Sequence, residues 1–242
     1  MIDAPPLLLL LRQSQKDVCA GLPKLLQNVE LISGLNVETI NNGPFDLRYS
    51  GVAFQCHITS VQTDWRDFKT IFWNPDWGKV ISILAINFGD HVGAGRMSPV
   101  VVAHLLELSE RLGTMLDAAA VLWKPANIVS GFSYFSETVG QYRAGGPFPV
   151  LALVDFSITG SNHLVSHGLS WFSGQELQVE PGDLSATELM RRAVRIAHDI
   201  AVNGAIETTM EIEGLTEFER IILSPSQSNR ELGVLISSKK EE

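Results

Sequence analysis

Two histidines, His163 and His167, have the spacing at which a helix would place two zinc ligands on one face. The glycines at 160 and 168, and the apolar residues that alternate between them, favour a strand instead. On a strand the two rings share a face but lie about 13 Å apart, which is too far for one metal ion. No cysteine or carboxylate stands at a workable ligand spacing nearby. The sequence therefore predicts that the chain binds no stoichiometric metal and no cofactor.

A second residue with chemical potential is Asp155, which stands inside the apolar run Pro149–Ile158. We interpret Val150–Ile158 as a buried strand because the run is continuous and bounded by turn residues. A carboxylate in such a strand must be paired or must face a cleft, because burying an unpaired charge is costly. The alternative, which we favour, is that Asp155 points to the solvent side of a half-exposed sheet.

Two common catalytic motifs are absent from the sequence. Ser157 and Ser170 stand outside a G-x-S-x-G pattern, and no strand-turn-helix context surrounds them. The glycine-rich segment Gly89–Gly95 lacks both the Lys-Ser/Thr pair of a phosphate-binding loop and the glycine spacing of a dinucleotide fingerprint. We therefore assign no residue a catalytic role.

Two tryptophans, Trp123 and Trp171, could line a pocket or a protein interface. Large aromatic residues are also ordinary members of a protein core, so that alternative stays open. The candidate binding residues are Trp123, Asp155, His167 and Trp171.

A cluster of arginines lies on the helix that we predict between Ser185 and Asn203. The apolar positions of this helix form one stripe, and Arg191, Arg192 and Arg195 lie on its polar side. The cluster could grip an acidic partner, but a solvated helix face is the interpretation we favour. On that basis Arg192→Glu should change stability by no more than about 0.5 kcal/mol.

The composition is that of a soluble, acidic globular protein, with 45% hydrophobic and 19% charged residues among 242. The net charge of −9 argues against nucleic acid as a partner, because that binding needs a clustered basic surface. No apolar run approaches the roughly 18 residues of a membrane-spanning helix, which argues against a membrane partner. Cys19 and Cys56 stand in no CxxC motif, as is typical of free thiols in a reducing cytosol. We therefore predict a cytoplasmic location.

The order of strands and helices predicts an α+β fold of two halves, each with a mostly antiparallel or mixed sheet covered by helices on one face. We place the boundary in the glycine-rich segment Gly93–Met97. It separates an N-terminal half, residues 1–96, from a C-terminal half, residues 97–242. Because the connection is short, we expect the halves to form one compact unit.

The N-terminal half should begin with a buried strand over residues 6–12, since its five leucines follow Asp3 rather than the basic segment of a signal peptide. A helix over Gly21–Ile32, capped by Gly34, and strands over 49–61 and 80–88 should follow. In the C-terminal half we expect a helix from Ser98-Pro99 to Leu116, a strand over 118–123 and a helix capped by Ser185 with Glu188. The predicted core positions include Leu112, Ala119, Val121 and Leu153.

Three segments of the C-terminal half resemble a known family. They are AHLLELSERLGTMLDAAAVLWKPANIVSGFSYF, PFPVLALVDFSI and LVSHGLSWFSGQELQVEP, within residues 97–181. Together they resemble the uncharacterised bacterial family called domain of unknown function 4261 (DUF4261). Its segment Thr-x-Gly-Leu-x-x-Phe-Gly-x-x-Glu-Leu corresponds here to Ser166–Leu177, with Ser166 for threonine and Ser173 inserted before the glycine. The resemblance implies a soluble bacterial α+β protein and supplies no catalytic residues.

Two functional hypotheses follow. The first is a non-enzymatic binding or interaction protein of the bacterial cytoplasm, whose partner is another protein or a second copy of the chain. It rests on a sequence that is rich in core pattern and poor in convergent polar chemistry. The second is a small-molecule sensor or enzyme with a pocket between the halves, which would use Asp155, His57 or His167. A pocket lined by two of these residues with perturbed pKa values would favour the second hypothesis.

Overall fold

The computed structural model describes residues 5–27, 36–37, 43–61, 64–75, 78–89, 92 and 95–238. The chain divides into two compact units, Met1–Ala152 and Leu153–Glu242. Each unit combines a sheet with helices, which confirms the predicted α+β class. None of the helices in the described part of the chain has the length and apolarity that a bilayer crossing requires.

The first unit is built on a sheet to which eight strands of the described residues contribute. They are β1 Leu7–Leu11, β2 Asn36–Val37, β3 Phe45–Tyr49, β4 Val52–Ser60, β5 Lys69–Ile71, β6 Ser82–Phe88, β7 Ala120–Trp123 and β8 Ile128–Gly131. Their order across the sheet is β2-β3-β4-β6-β1-β7-β8-β5. The neighbouring pairs are antiparallel except β5 and β8, which run parallel. The strand β1 therefore lies inside the sheet, between β6 and β7.

The boundary predicted at Gly93–Met97 is not where the chain divides. The strand β7 pairs with β1 in a register that sets Trp123 opposite Leu7, and β8 pairs with β7. Residues that follow the predicted boundary thus complete the sheet of the N-terminal half, and the chain divides instead after Ala152. The glycines suggested a linker, but a strand pairing over more than a hundred residues leaves no trace in local composition. Gly93 itself lies outside the described residues.

The leucine run of β1 is apolar throughout because both of its faces are buried. All five leucines are at most 7% exposed. Leu8 and Leu10 belong to a cluster with Trp65 and Trp73, which lie on either side of β5 in the sequence. Helices pack against the same sheet, since α2 (Pro99–Met115) contacts β1 and α3 (Phe132–Arg143) contacts β7 and β8.

The first helix, α1, spans Gln15–Gln27 and begins six residues before the predicted start. Its first turn is polar, and Ser14 caps it by accepting a hydrogen bond from the Asp17 amide at 3.2 Å. The apolar stripe of the helix begins one turn earlier than predicted, at Val18, which is 0% exposed and precedes Leu22 by four residues. The predicted C-cap at Gly34 lies outside the described residues. The start of α2 at Pro99, after Ser98, agrees with the prediction.

The predicted strand Val150–Ile158 is wrong in its first half. Val150–Leu153 forms a single helical turn, α4, and the strand β9 spans only Asp155–Ile158. A short, fully apolar run does not distinguish a buried helical turn from a buried strand, and Pro149 begins the turn here by accepting a hydrogen bond from the Ala152 amide. The four predicted core positions are all buried, at 0–8% exposure: Leu112, Ala119, Val121 and Leu153.

The second unit contains a six-stranded sheet with the order β12-β13-β14-β11-β10-β9. Besides β9, its strands are β10 Leu164–His167, β11 Glu176–Val179, β12 Met210–Glu213, β13 Glu219–Pro225 and β14 Glu231–Ser238. The pair β11 and β14 is parallel, and the other pairs are antiparallel. The short helix α5, Ser170–Ser173, follows β10, and the long helix α6, Ala186–Asn203, packs against β10 and β11. The capping box predicted for α6 is present, with Ser185 and Glu188 bonded reciprocally.

Candidate functional site

The structure separates the two tryptophans that were candidate binding residues. Trp123 is 0% exposed at the end of β7, between Leu7 and Ile128 of the neighbouring strands. It is therefore a core residue. Trp171 is half-buried in α5 and makes an edge-to-face contact with Phe172, with ring centroids 5.0 Å apart. His57, from the small-molecule hypothesis, lies on β4 of the first unit, whereas Asp155 and His167 lie in the second.

Asp155 and His167 do come together, and Ser157 joins them. In the antiparallel pair β9 and β10, Asp155 stands directly opposite His167. The Ser157 hydroxyl lies 3.1 Å from His167 Nε2. His163 has a different neighbour, the Gln178 amide nitrogen, 2.6 Å from its Nδ1. The two histidines thus occupy separate positions, and within the described residues no group of three or more His, Cys, Asp or Glu could hold a metal ion.

A hydroxyl, an imidazole and a carboxylate side by side have the composition of an acyl-transfer triad. That chemistry also needs preorganised N–H donors for the developing oxyanion. The N–H groups that follow His167 in sequence, those of Gly168, Leu169 and Ser170, all donate to the Glu176 carboxylate, at 2.8, 3.2 and 3.1 Å. They are therefore committed to a residue of the chain itself. What the structure shows at this position is a hydrogen bond between Ser157 and His167 on an exposed part of the sheet.

Glu176 is the centre of the segment Ser166–Leu177 that carries the family resemblance. Besides the three N–H groups, its carboxylate accepts the hydroxyls of Ser166 at 2.6 Å and Ser170 at 2.7 Å. Ser166 in turn accepts the N–H of Leu177 at 2.7 Å. Gly168 has a φ of 90°, which favours glycine, and the side chains of Leu169 and Phe172 are buried. The motif is thus a self-contained turn held by one carboxylate.

The prediction that Arg192 faces solvent is wrong. Arg192 is 5% exposed and forms a bidentate ion pair with Glu219 at the start of β13. Its Nε lies 2.7 Å from Glu219 Oε1, its Nη2 contacts the other carboxylate oxygen, and its Nη1 donates to the Glu188 carbonyl at 2.9 Å. The hydrogen bonds from Arg192 to the Glu219 carboxylate hold the pKa of that carboxyl below its ordinary range. One signal in the sequence could have revealed a buried Glu219. Ile221 and Leu223 stand at alternate positions of an apolar strand, and Glu219 continues that series on the inward face.

The same carboxylate fixes the turn between β12 and β13, residues 214–218, which we call the β12–β13 turn. Glu219 accepts the Leu215 N–H at 3.3 Å and the Thr216 hydroxyl at 3.4 Å. Its backbone carbonyl accepts the Gly214 N–H at 2.9 Å. A Cβ at Gly214 would lie 2.3 Å from Glu219 Cγ, so the turn closes only around glycine. The turn is therefore held from inside by a buried ion pair.

Two large apolar side chains point outward from this turn. Leu215 is 46% exposed and Phe218 is 51% exposed. Both lie inside the turn that the hydrogen bond from the Gly214 N–H to the Glu219 carbonyl closes. Residues 205–219 also contain five glutamates and no lysine or arginine. The turn also has basic neighbours, since Arg195 donates to the Gly214 carbonyl at 3.0 Å and Arg220 pairs with Glu211. The β12–β13 turn thus presents an apolar pair among charged residues, and sequence reasoning did not identify it.

A shallow cleft of about 660 Å³ lies beside the first turn of α1, lined by Ser14, Gln15, Lys16, Cys19, Ala20 and Ser60. Burial raises the pKa of the Cys19 thiol, which keeps it protonated near neutral pH and makes it a poor nucleophile. The thiol that lines this cleft is therefore not an activated nucleophile.

Comparison with known proteins gives no further guide to the site. No family model matches the chain, and no curated protein or solved structure is significantly similar to it.

Proposed function

We propose that this chain is a non-enzymatic interaction protein of the bacterial cytoplasm, which binds another protein through its second unit. The observation that carries the proposal is the β12–β13 turn. It shows Leu215 and Phe218 to solvent on a backbone that the buried pair Arg192–Glu219 holds in place.

The energetics of this turn suit binding. Burying the exposed half of a leucine and of a phenylalanine would contribute about 1 kcal/mol each. Because the turn is already ordered, a partner would not have to supply the free energy of ordering it. A buried ion pair contributes little net stability compared with apolar residues of the same size. We infer that the role of Arg192–Glu219 is to fix the conformation of the turn.

Other polar groups of the second unit support the same proposal because their hydrogen bonds serve the fold. Gln175 is fully buried, and its side-chain oxygen accepts the Ile206 N–H at 2.9 Å. Its side-chain nitrogen donates to the Ile206 carbonyl at 2.9 Å and to Asn229 Oδ1 at 2.6 Å. Glu176 is saturated by backbone and serine donors. The small-molecule alternative relied on Asp155 and His167, and the N–H donors beside His167 are engaged in that network.

We also propose that the chain belongs to the DUF4261 family. Support comes from the turn around Glu176, in which the serine, glycine, leucine, phenylalanine and glutamate positions of the motif each have a structural role. The free thiols of Cys19 and Cys56 support the cytoplasmic part of the proposal.

The test is the size of the complex that the chain forms in extracts of the cells that produce it. Wild-type chain should elute from a sizing column well above its own 26.5 kDa. The double variant Leu215→Ser/Phe218→Ser should elute as the free chain. The matched control, Ile158→Ser/Leu235→Ser, removes two side chains of similar exposure, 52% and 43%, and should leave the complex intact. Elution of wild-type chain at its own mass, or an equal loss in both variants, would overturn the proposal.

A further inference from the structure

The edge strand next to the β12–β13 turn suggests what kind of segment the partner supplies. We propose that β12 accepts an extended, basic segment of the partner as an additional strand of the sheet. This inference rests on the proposed function, since the added strand belongs to the interaction partner.

The backbone of β12 has an edge that the sheet does not use. Within the described residues β12 is the outermost strand and pairs with β13 alone. The N–H of Gly214 donates to the carbonyl of Glu219, so Gly214 and Glu219 form a hydrogen-bonded pair that follows Glu213 and Arg220 in the β12–β13 ladder. Because hydrogen-bonded and non-bonded pairs alternate along an antiparallel ladder, the N–H and C=O groups of Glu211 and Glu213 point away from β13. Two donors and two acceptors are thus oriented for an incoming strand.

The side chains of β12 define the pattern that this strand must have. Glu211 and Glu213 share one face, and Met210 and Ile212 share the other. Both glutamates are exposed, and Met210 is 41% exposed. A residue directly opposite a glutamate lies on the glutamate's face, so lysine or arginine is favoured there. A residue opposite Ile212 lies on the apolar face. The fitting segment therefore alternates basic and apolar residues. In strand addition generally, the main-chain hydrogen bonds give affinity and alternate side chains give specificity.

The acidic row also excludes a second copy of β12 as the occupant. Two such strands paired about a twofold axis would set glutamates opposite glutamates, and like charges in directly opposite positions destabilise a sheet. One basic residue, Arg220, lies 3.4 Å from Glu211, but both side chains are largely solvated, so the pair is weak. Arg220 also stands directly opposite Glu213 on β13, so this face carries two carboxylates and one guanidinium. With the exposed Glu217 of the neighbouring turn, the net charge of the surface stays negative. The carboxylates that repel a second copy therefore select a basic strand.

The experiment uses the full chain and fluorescent synthetic peptides of about seven residues, the length of an ordinary strand. One peptide alternates lysine with valine and isoleucine. A second has the same composition with the lysines grouped at one end, and a third is the alternating peptide N-methylated on the amides that would face β12. Fluorescence anisotropy should show that the alternating peptide binds at least roughly tenfold more tightly than the other two.

Matched charge reversals locate the site. Glu211→Lys/Glu213→Lys should weaken the alternating peptide at least roughly tenfold. Glu180→Lys/Asp183→Lys makes the same change of charge at two exposed acids of the same unit and should have little effect. Hydrogen exchange should also slow at the amides of Glu211 and Glu213 when the peptide binds.

If the alternating and grouped peptides bind equally, or if the two double variants bind the alternating peptide equally, then net charge alone determines the affinity. Either result would contradict strand addition. No binding of the alternating peptide would also overturn it. Both results leave the proposed function standing if the complex in cell extracts still depends on Leu215 and Phe218. Loss of that dependence would overturn both.

Discussion

Replacing Arg192 by methionine should destabilise the second unit severely, because it leaves the Glu219 carboxylate buried without its counter-charge. The side chains of Arg192 and Glu219 are 6% and 3% exposed, so water cannot take the place of the missing partner. Removing one partner of a buried ion pair costs about 3–5 kcal/mol, which is a large part of the 5–15 kcal/mol that stabilises an ordinary domain.

Urea unfolding followed by circular dichroism measures this loss, with Arg191→Met as the control. Arg191 is exposed on the same helix, so its replacement should change the free energy of unfolding by less than about 0.5 kcal/mol. Replacing both partners, as Arg192→Met/Glu219→Leu, should recover much of the loss because no unpaired charge remains. A loss below about 0.5 kcal/mol for Arg192→Met would refute the reasoning, since it would show that Glu219 is solvated without the arginine.

Four further predictions follow from individual contacts. Arg192 depresses the pKa of Glu219, so the pair's contribution to the free energy of unfolding is complete above the ordinary glutamate pKa of 4.5 and should be lost as pH falls below it. In acid titration, the Glu219→Gln variant should lose stability less steeply than the wild-type chain. Glu176→Gln should lower the free energy of urea unfolding by about 1–3 kcal/mol, because five donors lose a carboxylate acceptor. Hydrogen exchange at Gly168 should become faster, and unchanged exchange would contradict this. Burial and the Glu107 hydrogen bond raise the pKa of Tyr49 to about 12, so ultraviolet titration of a variant with Tyr49 as its sole tyrosine should show little phenolate at pH 10. Val121→Asp should prevent folding, as judged by circular dichroism, because it buries a charge in the centre of the first sheet.

Sequence reasoning succeeded where a few consecutive residues determine the structure. The capping box of Ser185 and Glu188 and the proline at the start of α2 are local signals, and both helices begin where those signals stand. The apolar run predicted as a strand over residues 80–88 likewise contains β6, Ser82–Phe88.

The errors arose where distant residues decide. The pairing of β1 with β7 joins segments on both sides of the predicted boundary, and neither segment signals its partner. The polar side of α6 predicted a solvated Arg192, because an amphipathic pattern shows which side is apolar but not what packs against the other. The β12–β13 turn was missed for the same reason, since its hydrogen bonds depend on Glu219, which pairs with Arg192 over 27 positions of sequence.

Photo-crosslinking at position 218 tests the central claim most directly. A photoreactive phenylalanine analogue would replace Phe218 in one chain and Phe72 in another, since Phe72 is the more exposed of the two at 72% against 51%. If the β12–β13 turn is the binding surface, irradiated cells should yield a discrete protein adduct at position 218, which Leu215→Ser reduces, and no comparable adduct at position 72. Equal adducts at both positions, or an adduct at position 72 alone, would contradict the account.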